Sequence, residues 1–447
     1  MATCVIGAGI AGLTAAHGIA KAGGDVVVLE AQDRVGGRLQ TVHRGDFTFD
    51  IGAFVYLGSY DDAIALMREV GLGPSMHRFP AYGAMPRDGQ LHYFDLDRPV
   101  RSVGGTKYLS AASKVKLTKL LVLLGRTWKD LNYADASGVA ALDVETVTEY
   151  CRRELNDEIL DYLAAVIVRG PWLSDPDWTS VGQLLWTMKN FFKPYFYGLD
   201  DGMDALPRAL AASLDVRTGH RVLDVTDTGS GVEVTYDAGE GERTETFDDV
   251  VLTTPADTTL ELYPQLAGAA RTHYENTEYL CSVNTHLALS RRPANPATYI
   301  MCSPREQPDL CGVIVDHLKA SGRCRPDQGM LTVFCRHEWC LEHLDAPDEV
   351  ILDEVYRFLA PYYGDLAPDH ADHEIGRWRR VVPLMKVGRF KSADAFMRAT
   401  DPRARVQLAG DLGPIPGVNA ALVSGKAAGE RIVARGMRAT EPVRVGR

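Results

Sequence analysis

No two of the eight cysteines, at positions 4, 151, 281, 302, 311, 324, 335 and 340, form a Cys-x-x-Cys pair. That excludes a dithiol redox motif and an iron–sulfur pattern, and the cysteines read as reduced and mostly buried, which predicts a cytoplasmic location. Long apolar runs are also missing. The best, Tyr108 to Leu124, is interrupted by Lys114, Lys116 and Lys119. It predicts a helix with a snorkelling lysine face, not a membrane span, which needs about 20 apolar residues. No basic segment and apolar leader precede the strand-like run Thr3 to Ile6, so no signal peptide is expected. Basic charge is in deficit, 48 residues against 59 acidic, for a net charge of −11. That balance argues against nucleic acid or an anionic membrane as the main partner. Cys335, His337, Cys340 and His343 crowd together without zinc-site spacing, and Leu341 stands where a zincin helix needs its second His, so no metal is expected. Repeats and low-complexity segments are absent, and Thr440 to Arg447 reads as a frayed tail.

What is present is ordinary globular material in quantity. The 447 residues, 46% hydrophobic and 24% charged, are enough for two or three domains. The strongest local signal is Thr3-Cys-Val-Ile-Gly7-Ala-Gly9-Ile-Ala-Gly12. A short apolar strand ends in G-x-G-x-x-G, an alanine-rich helix follows from Leu13 to Ala22, and a second strand, Val26 to Leu29, ends at Glu30. This is a β-α-β unit. Gly7 permits the tight turn, bare Gly9 lets the backbone approach a pyrophosphate, and Gly12 lets helix and strand pack closely. The pyrophosphate meets the N-terminus of the helix, where free N–H groups and the dipole favour anions. A carboxylate at Glu30 accepts both ribose hydroxyls. These residues specify a dinucleotide and leave FAD and NAD open.

The next block, Gly36-Gly37-Arg38, resembles the Gly-Gly-Arg segment of the superfamily of flavin amine oxidases, protoporphyrinogen oxidases and carotenoid desaturases. The resemblance implies that Arg38 and the Gly36-Gly37 backbone reach FAD phosphates. Asp50-Ile-Gly52-Ala53-Phe54-Val-Tyr56 looks like the family's D-x-G strand under the isoalloxazine ring. Asp201-Gly202-Met203 through Leu210 is similar to its G-G-M helix start, with Asp201 replacing the first glycine, and Val222 matches the valine whose backbone contacts the adenine end. Gly410-Asp411, then Gly417-Val418-Asn419 through Ser424-Gly425, closely resembles the C-terminal block. There Asp411 would bond the ribityl or pyrophosphate region, and the helix from Val418 would aim its positive end at the flavin. The resemblance covers nearly the whole chain and is weakest between 80 and 200. It implies an α/β fold: a doubly wound Rossmann-type FAD domain from 1–78, 203–265 and 395–440, interleaved with an α+β substrate domain from 80–202 and 266–394.

The implied chemistry is hydride transfer from a small molecule to flavin N5, with dioxygen as reoxidant and a homodimer as the assembly to consider. Typical amine oxidases of the family place a lysine in a substrate-domain strand, where this chain has Asn284 or Thr285, and an aromatic residue where it has Gly417-Val418. Trp378 through Gly388 instead resembles a protoporphyrinogen oxidase segment, with Met385 at its tyrosine position. The reading is therefore a desaturase-type oxidase of a fairly apolar molecule, in secondary metabolism, with C–N oxidation or a redox-neutral isomerase or mutase as alternatives. Lys386, Tyr56 and Trp378 are the catalytic candidates, and Tyr195 and Phe196 the substrate contacts. Replacing Gly9 by Val should block pyrophosphate approach and give colourless protein. Full FAD content in the visible spectrum of Gly9→Val would refute the phosphate-loop assignment.

Overall fold

The computed structural model describes residues 2–440 apart from 80, 81, 96, 99–101, 103, 104, 194 and 240; the expected tail beyond 440 lies outside the described residues. The valine-rich run Asp25–Leu29 is buried over its last three residues, as a central parallel strand should be. It lies in a five-stranded parallel sheet ordered Asp215–Arg217, Asp25–Leu29, Ala2–Ile6, Asp249–Leu252, Val406–Leu408. Helix Ile10–Lys21 crosses between the first two strands in sequence. An antiparallel meander, Arg221–Asp227, Val232–Asp237 and Glu242–Phe247, precedes the fourth.

A second, seven-stranded sheet runs His370–Trp378, Ser282–Leu289, Gly329–Cys335, Leu310–Val315, Tyr299–Met301, Tyr82–Arg87, Gln90–Asp95. Its pairs are antiparallel except Tyr299–Met301 with Tyr82–Arg87. Alternation along Ser282–Leu289 sends Val283 and Leu287 to one face, under Ile351, Val355 and Leu359 of helix Asp348–Tyr363. Ser282, Asn284 and His286 take the other face, beside Phe334 and Thr332 of the neighbouring strand. Helices drawn from residues 111–190 form a third apolar cluster. The run read as a lysine-faced helix is one, Ala111–Thr127, capped by Ser110. Among the described residues no helix is long and apolar enough to cross a membrane.

Two contacts tie these parts together. The C-terminal helix Val418–Thr440 lies on helix Ile10–Lys21 with backbone against backbone. A Cβ on Gly425 would overlap the Ala11 carbonyl oxygen, and one on Gly429 would stand 2.8 Å from that of Ala15. Between the sheets, Asp50 is buried and accepts from Thr41 Oγ1 at 2.9 Å and from the Met203 N–H at 2.8 Å, and its other oxygen pairs with Arg323 at 2.8 Å. Beside it Lys319, fully buried, pairs with Asp316, and Asp316 also accepts from Thr332. Two acids and two cations therefore balance in the interior, as buried charges must. His286 completes the group, its Nδ1 2.8 Å from Thr332 Oγ1.

Burial pushes the His286 imidazole down to about 4, with Asp316 opposing. The unfolded chain therefore takes up a proton near pH 6.5 that the folded chain refuses. The native state gains from this above pH 6.5 and loses it as the pH falls toward 4. Urea unfolding of the apoprotein should show about 2 kcal/mol less stability at pH 5 than at pH 7.5 from this residue. His286→Asn should flatten that part of the profile; an unchanged slope would remove His286 as its cause. Gly425→Val should wedge the paired helices apart and cost about 3 kcal/mol, seen as a lowered melting temperature. An unshifted melt would show that the helices do not meet there.

Candidate functional site

Strand Ala2–Ile6 turns into helix Ile10–Lys21 through Gly7, whose φ of 101° suits glycine alone. A Cβ on Gly12 would overlap the Gly7 carbonyl oxygen, so Gly12 is required by helix–strand packing. Gly9 is different: a Cβ there would meet no protein atom within 4 Å. Nothing inside the chain calls for glycine at this helix start, which makes it a cradle that only a close-lying ligand requires to stay bare. Thr253, just after strand Asp249–Leu252, donates to the Ile6 and Gly7 carbonyls at 2.7 and 3.2 Å and sets the turn. Sequence reasoning assigned it no role; its one signal is its place after a buried central strand.

Glu30 grips the loop from the next strand. Its carboxylate accepts the Ala8 N–H at 2.7 Å and the Gln32 N–H at 2.9 Å. Its carbonyl accepts the His220 N–H at 2.8 Å, which brings Val222, two residues on, to the Glu30 end of the loop. Gly36 donates to the Ala8 carbonyl at 2.8 Å, and a backbone bridge joins it to Gly9, so both glycine motifs share one surface. The Gly37 carbonyl accepts from Arg34 Nη1 at 3.0 Å.

Arg38 pairs with Asp411 and donates to the Val381 carbonyl at 2.6 Å. Burial alone would lower this guanidinium; Asp411 outweighs burial and raises it. Residues 38 and 411, remote in sequence, thus meet. Gly52 and Ala53 lie behind this pair. A Cβ on Gly52 would overlap the Arg38 carbonyl oxygen, to which the Ala53 N–H donates at 3.0 Å. The smallness of Gly52, expected for a flat ring, is demanded first by the Arg38 backbone. The Gly410 N–H donates to Ser424 Oγ at 3.2 Å, and the C-terminal helix then starts at Val418.

Several expected roles need correction. Asn419 turns its side chain inward, where its oxygen accepts the Ala63 N–H at 3.0 Å in the first turn of helix Asp61–Glu69. Its Nδ2 is buried without a hydrogen-bond partner. Lys386, proposed as catalytic, makes a bidentate surface pair with Glu278 at 2.7 Å, its side chain 44% exposed. Tyr56 is fully buried; its hydroxyl donates to the Met203 carbonyl at 3.0 Å, and burial drives its phenol far up. Trp378 donates from its indole to the Ile51 carbonyl at 2.7 Å. Tyr56 and Trp378 thus hold the Asp50–Phe54 segment and leave no free polar atom for catalysis. Tyr195 packs on Gly58 with the Arg78 guanidinium 4.1 Å from its ring centre, away from the aromatic cluster.

That cluster occupies the sheet face opposite helix Asp348–Tyr363. Phe54 stacks on Phe334 at 5.5 Å, and Phe196 lies 5.4 Å from Phe79 and 5.9 Å from Tyr299. Leu173 completes it from the end of helix Ala165–Trp172 in a left-handed conformation, φ 55°. Such strain in a branched residue is a feature of functional walls. Asn284 opposes Phe334 in the neighbouring strand and accepts from Ser282 Oγ at 2.7 Å.

Comparison with known proteins agrees with this arrangement. The chain matches the family described as Flavin containing amine oxidoreductase over residues 10–433. It is 27% identical over 283 residues to the flavin-dependent L-tryptophan oxidase RebO of Lentzea aerocolonigenes, covering 56% of this chain and 57% of that one. It is 29% identical over 202 residues to protoporphyrinogen oxidase 2 of Arabidopsis thaliana, covering 43% and 37%. It is 43% identical over 82 residues to a possible lysine-specific histone demethylase 1 of Drosophila melanogaster, 18% of this chain and 9% of the relative. The matches thus span 57% or less of these relatives' lengths. Among solved structures, putrescine oxidase bound to putrescine superposes with a TM-score of 0.80 at 18% identity, covering 97% and 100% of the two chains. Cyclohexylamine oxidase from Brevibacterium oxydans gives 0.78 at 17%, covering 98% and 99%. At these identities the structures share the fold.

Proposed function

Because this chain belongs to the flavin containing amine oxidoreductase family and is an FAD-dependent oxidoreductase, we propose that it is a desaturase-type oxidase of a fairly apolar small molecule, reoxidised by dioxygen. Bound FAD supplies the hydride acceptor. Glu30 accepts the ribose hydroxyls of the adenosine half, and the N–H groups at the start of helix Ile10–Lys21 take the diphosphate. Arg38 and the Gly36-Gly37 backbone add a cation and close approach, and Asp411 accepts from the ribityl side. The helix beginning at Val418 turns its positive end to the ring. The cofactor domain we assign to 1–78, 203–265 and 395–440, and the substrate domain to 80–202 and 266–394. All eight cysteines are free, which supports a reducing cytoplasmic setting.

The observation that carries the substrate class is the aromatic cluster around Phe54, Phe334 and Phe196. Its rings are buried or half-buried and stack on one another. On its face of the sheet Ser282 and Asn284 are bonded to each other, His286 is held neutral against Thr332, and buried Lys319 is paired with Asp316. The aromatic rings would hold and orient an apolar skeleton, and of the polar groups beside them His286 keeps a buried Nε2 without a partner. Oxidation of a C–N bond is the second reading, favoured by the match to an L-tryptophan oxidase over 56% of the chain.

The test is the absorption spectrum of the purified protein during anaerobic addition of polyenes, porphyrinogens and amines. Bleaching of the flavin bands by a polyene or porphyrinogen, with dioxygen consumed once air is admitted, is the expected result. Bleaching by amines alone would replace it with the C–N reading. Turnover without net oxidant use, and only after prior reduction, would identify a redox-neutral catalyst.

A further inference from the structure

Arg389 opens helix Arg389–Ala399 and is 7% exposed, yet no carboxylate among the described residues lies within ion-pairing distance. Its Nη1 lies 2.5 Å from His273 Nε2 and 2.8 Å from Nδ1, its Nη2 donates to the Leu412 carbonyl at 3.4 Å, and its Nε has no partner. His273, from helix Gly268–Glu275, is fully buried and stacks flat on Phe396 at 5.0 Å. Its Nε2 donates to the same Leu412 carbonyl at 2.8 Å, and its Nδ1 also accepts from Ser392 Oγ at 2.8 Å. Burial first, and then the Arg389 charge, hold this imidazole down at about 3, so it stays neutral. Asp143 caps the helix from a third segment by accepting the Phe390 N–H at 2.8 Å. Arg389 and His273 thus grip the peptide that follows Asp411, the residue paired with Arg38.

A buried cation without an acid partner is unfavourable on its own account: burial pulls this guanidinium down to about 10, opposed through space by Asp411, Tyr279, Tyr274 and Asp143. We infer that Arg389 is a positioning residue of the cofactor site, the second cation that balances Asp411 and fixes its loop when Arg38 is shared with the FAD diphosphate. Arg38 and Asp411 neutralise each other as they stand. A diphosphate brought to Arg38 leaves the site with excess negative charge, and Arg389 is the buried cation already coupled to Asp411. The inference rests on FAD binding alone and is independent of the substrate.

The roles of cofactor balance and of plain packing predict opposite signs. Arg389→Met keeps the length and removes the charge. It orphans no group, since His273 retains Ser392 and Leu412. The apoprotein should therefore melt no lower than wild type, while its Kd for FAD, from fluorescence titration, rises roughly tenfold to a hundredfold. Arg389→Lys, which keeps the charge, should recover most of that loss. In a double-mutant cycle, Asp411→Asn with Arg389→Met should give a Kd well short of the product of the single effects, because each removes the other's partner. An unchanged Kd in Arg389→Met, a loss of apoprotein stability matching the loss of affinity, or strict additivity in the cycle would overturn the assignment. If Arg389→Met does not fold, Arg389→Gln, which also removes the charge, takes its place in the titration and in the cycle with Asp411→Asn.

Discussion

The contact between helices Ile10–Lys21 and Val418–Thr440 is the constraint on which the site depends. Gly425 and Gly429 let one helix lie on the Ala11 and Ala15 backbone of the other. Each helix starts at a glycine turn, Gly7–Gly9 or Gly417, and each brings unsatisfied N–H groups and a positive dipole end to the same cleft. Side chains between the helices would move those ends apart. Their close packing therefore fixes the spacing of two helix N-termini, the two anion-favouring ends to which we assign the cofactor.

Around that pair the structure uses acids as clamps. Glu30 ties the first glycine loop to the second strand, Asp50 ties the Asp50–Phe54 segment to Arg323, and Asp411 meets Arg38. In each case the carboxylate links stretches remote in sequence. The aromatic cluster is the opposite sort of surface, held by stacking and burial. The structure thus compensates charge around the glycine loops and packs apolar rings at the second sheet.

The cofactor half was legible because its chemistry demands backbone geometry. Gly7, Gly9 and Gly12 sit where any side chain would obstruct a turn, a ligand or a helix, and such demands show as spaced motifs. The Arg38–Asp411 pair was not read, since nothing in the spacing brings residues 38 and 411 together. The catalytic side was read poorly for the converse reason. Lys386, Tyr56 and Trp378 have residue types that suit chemistry, but their polar atoms are taken up by Glu278, Met203 and Ile51. Whether a polar side chain is free depends on partners supplied by other segments, which a single sequence does not display. Arg389, His273 and Thr253 were passed over for the same reason.

The order of the parallel sheet bears on how the protein is made. Strand Ala2–Ile6 pairs with Asp249–Leu252, made much later, which pairs in turn with the still later Val406–Leu408. The helix that presses on the first glycine loop is later still. The nascent chain therefore carries a flavin loop whose partners do not yet exist, and it must keep exposed strand edges from pairing wrongly through most of translation. A chain stalled or clipped before its last helix would retain the nucleotide motif entire and still fail to retain flavin.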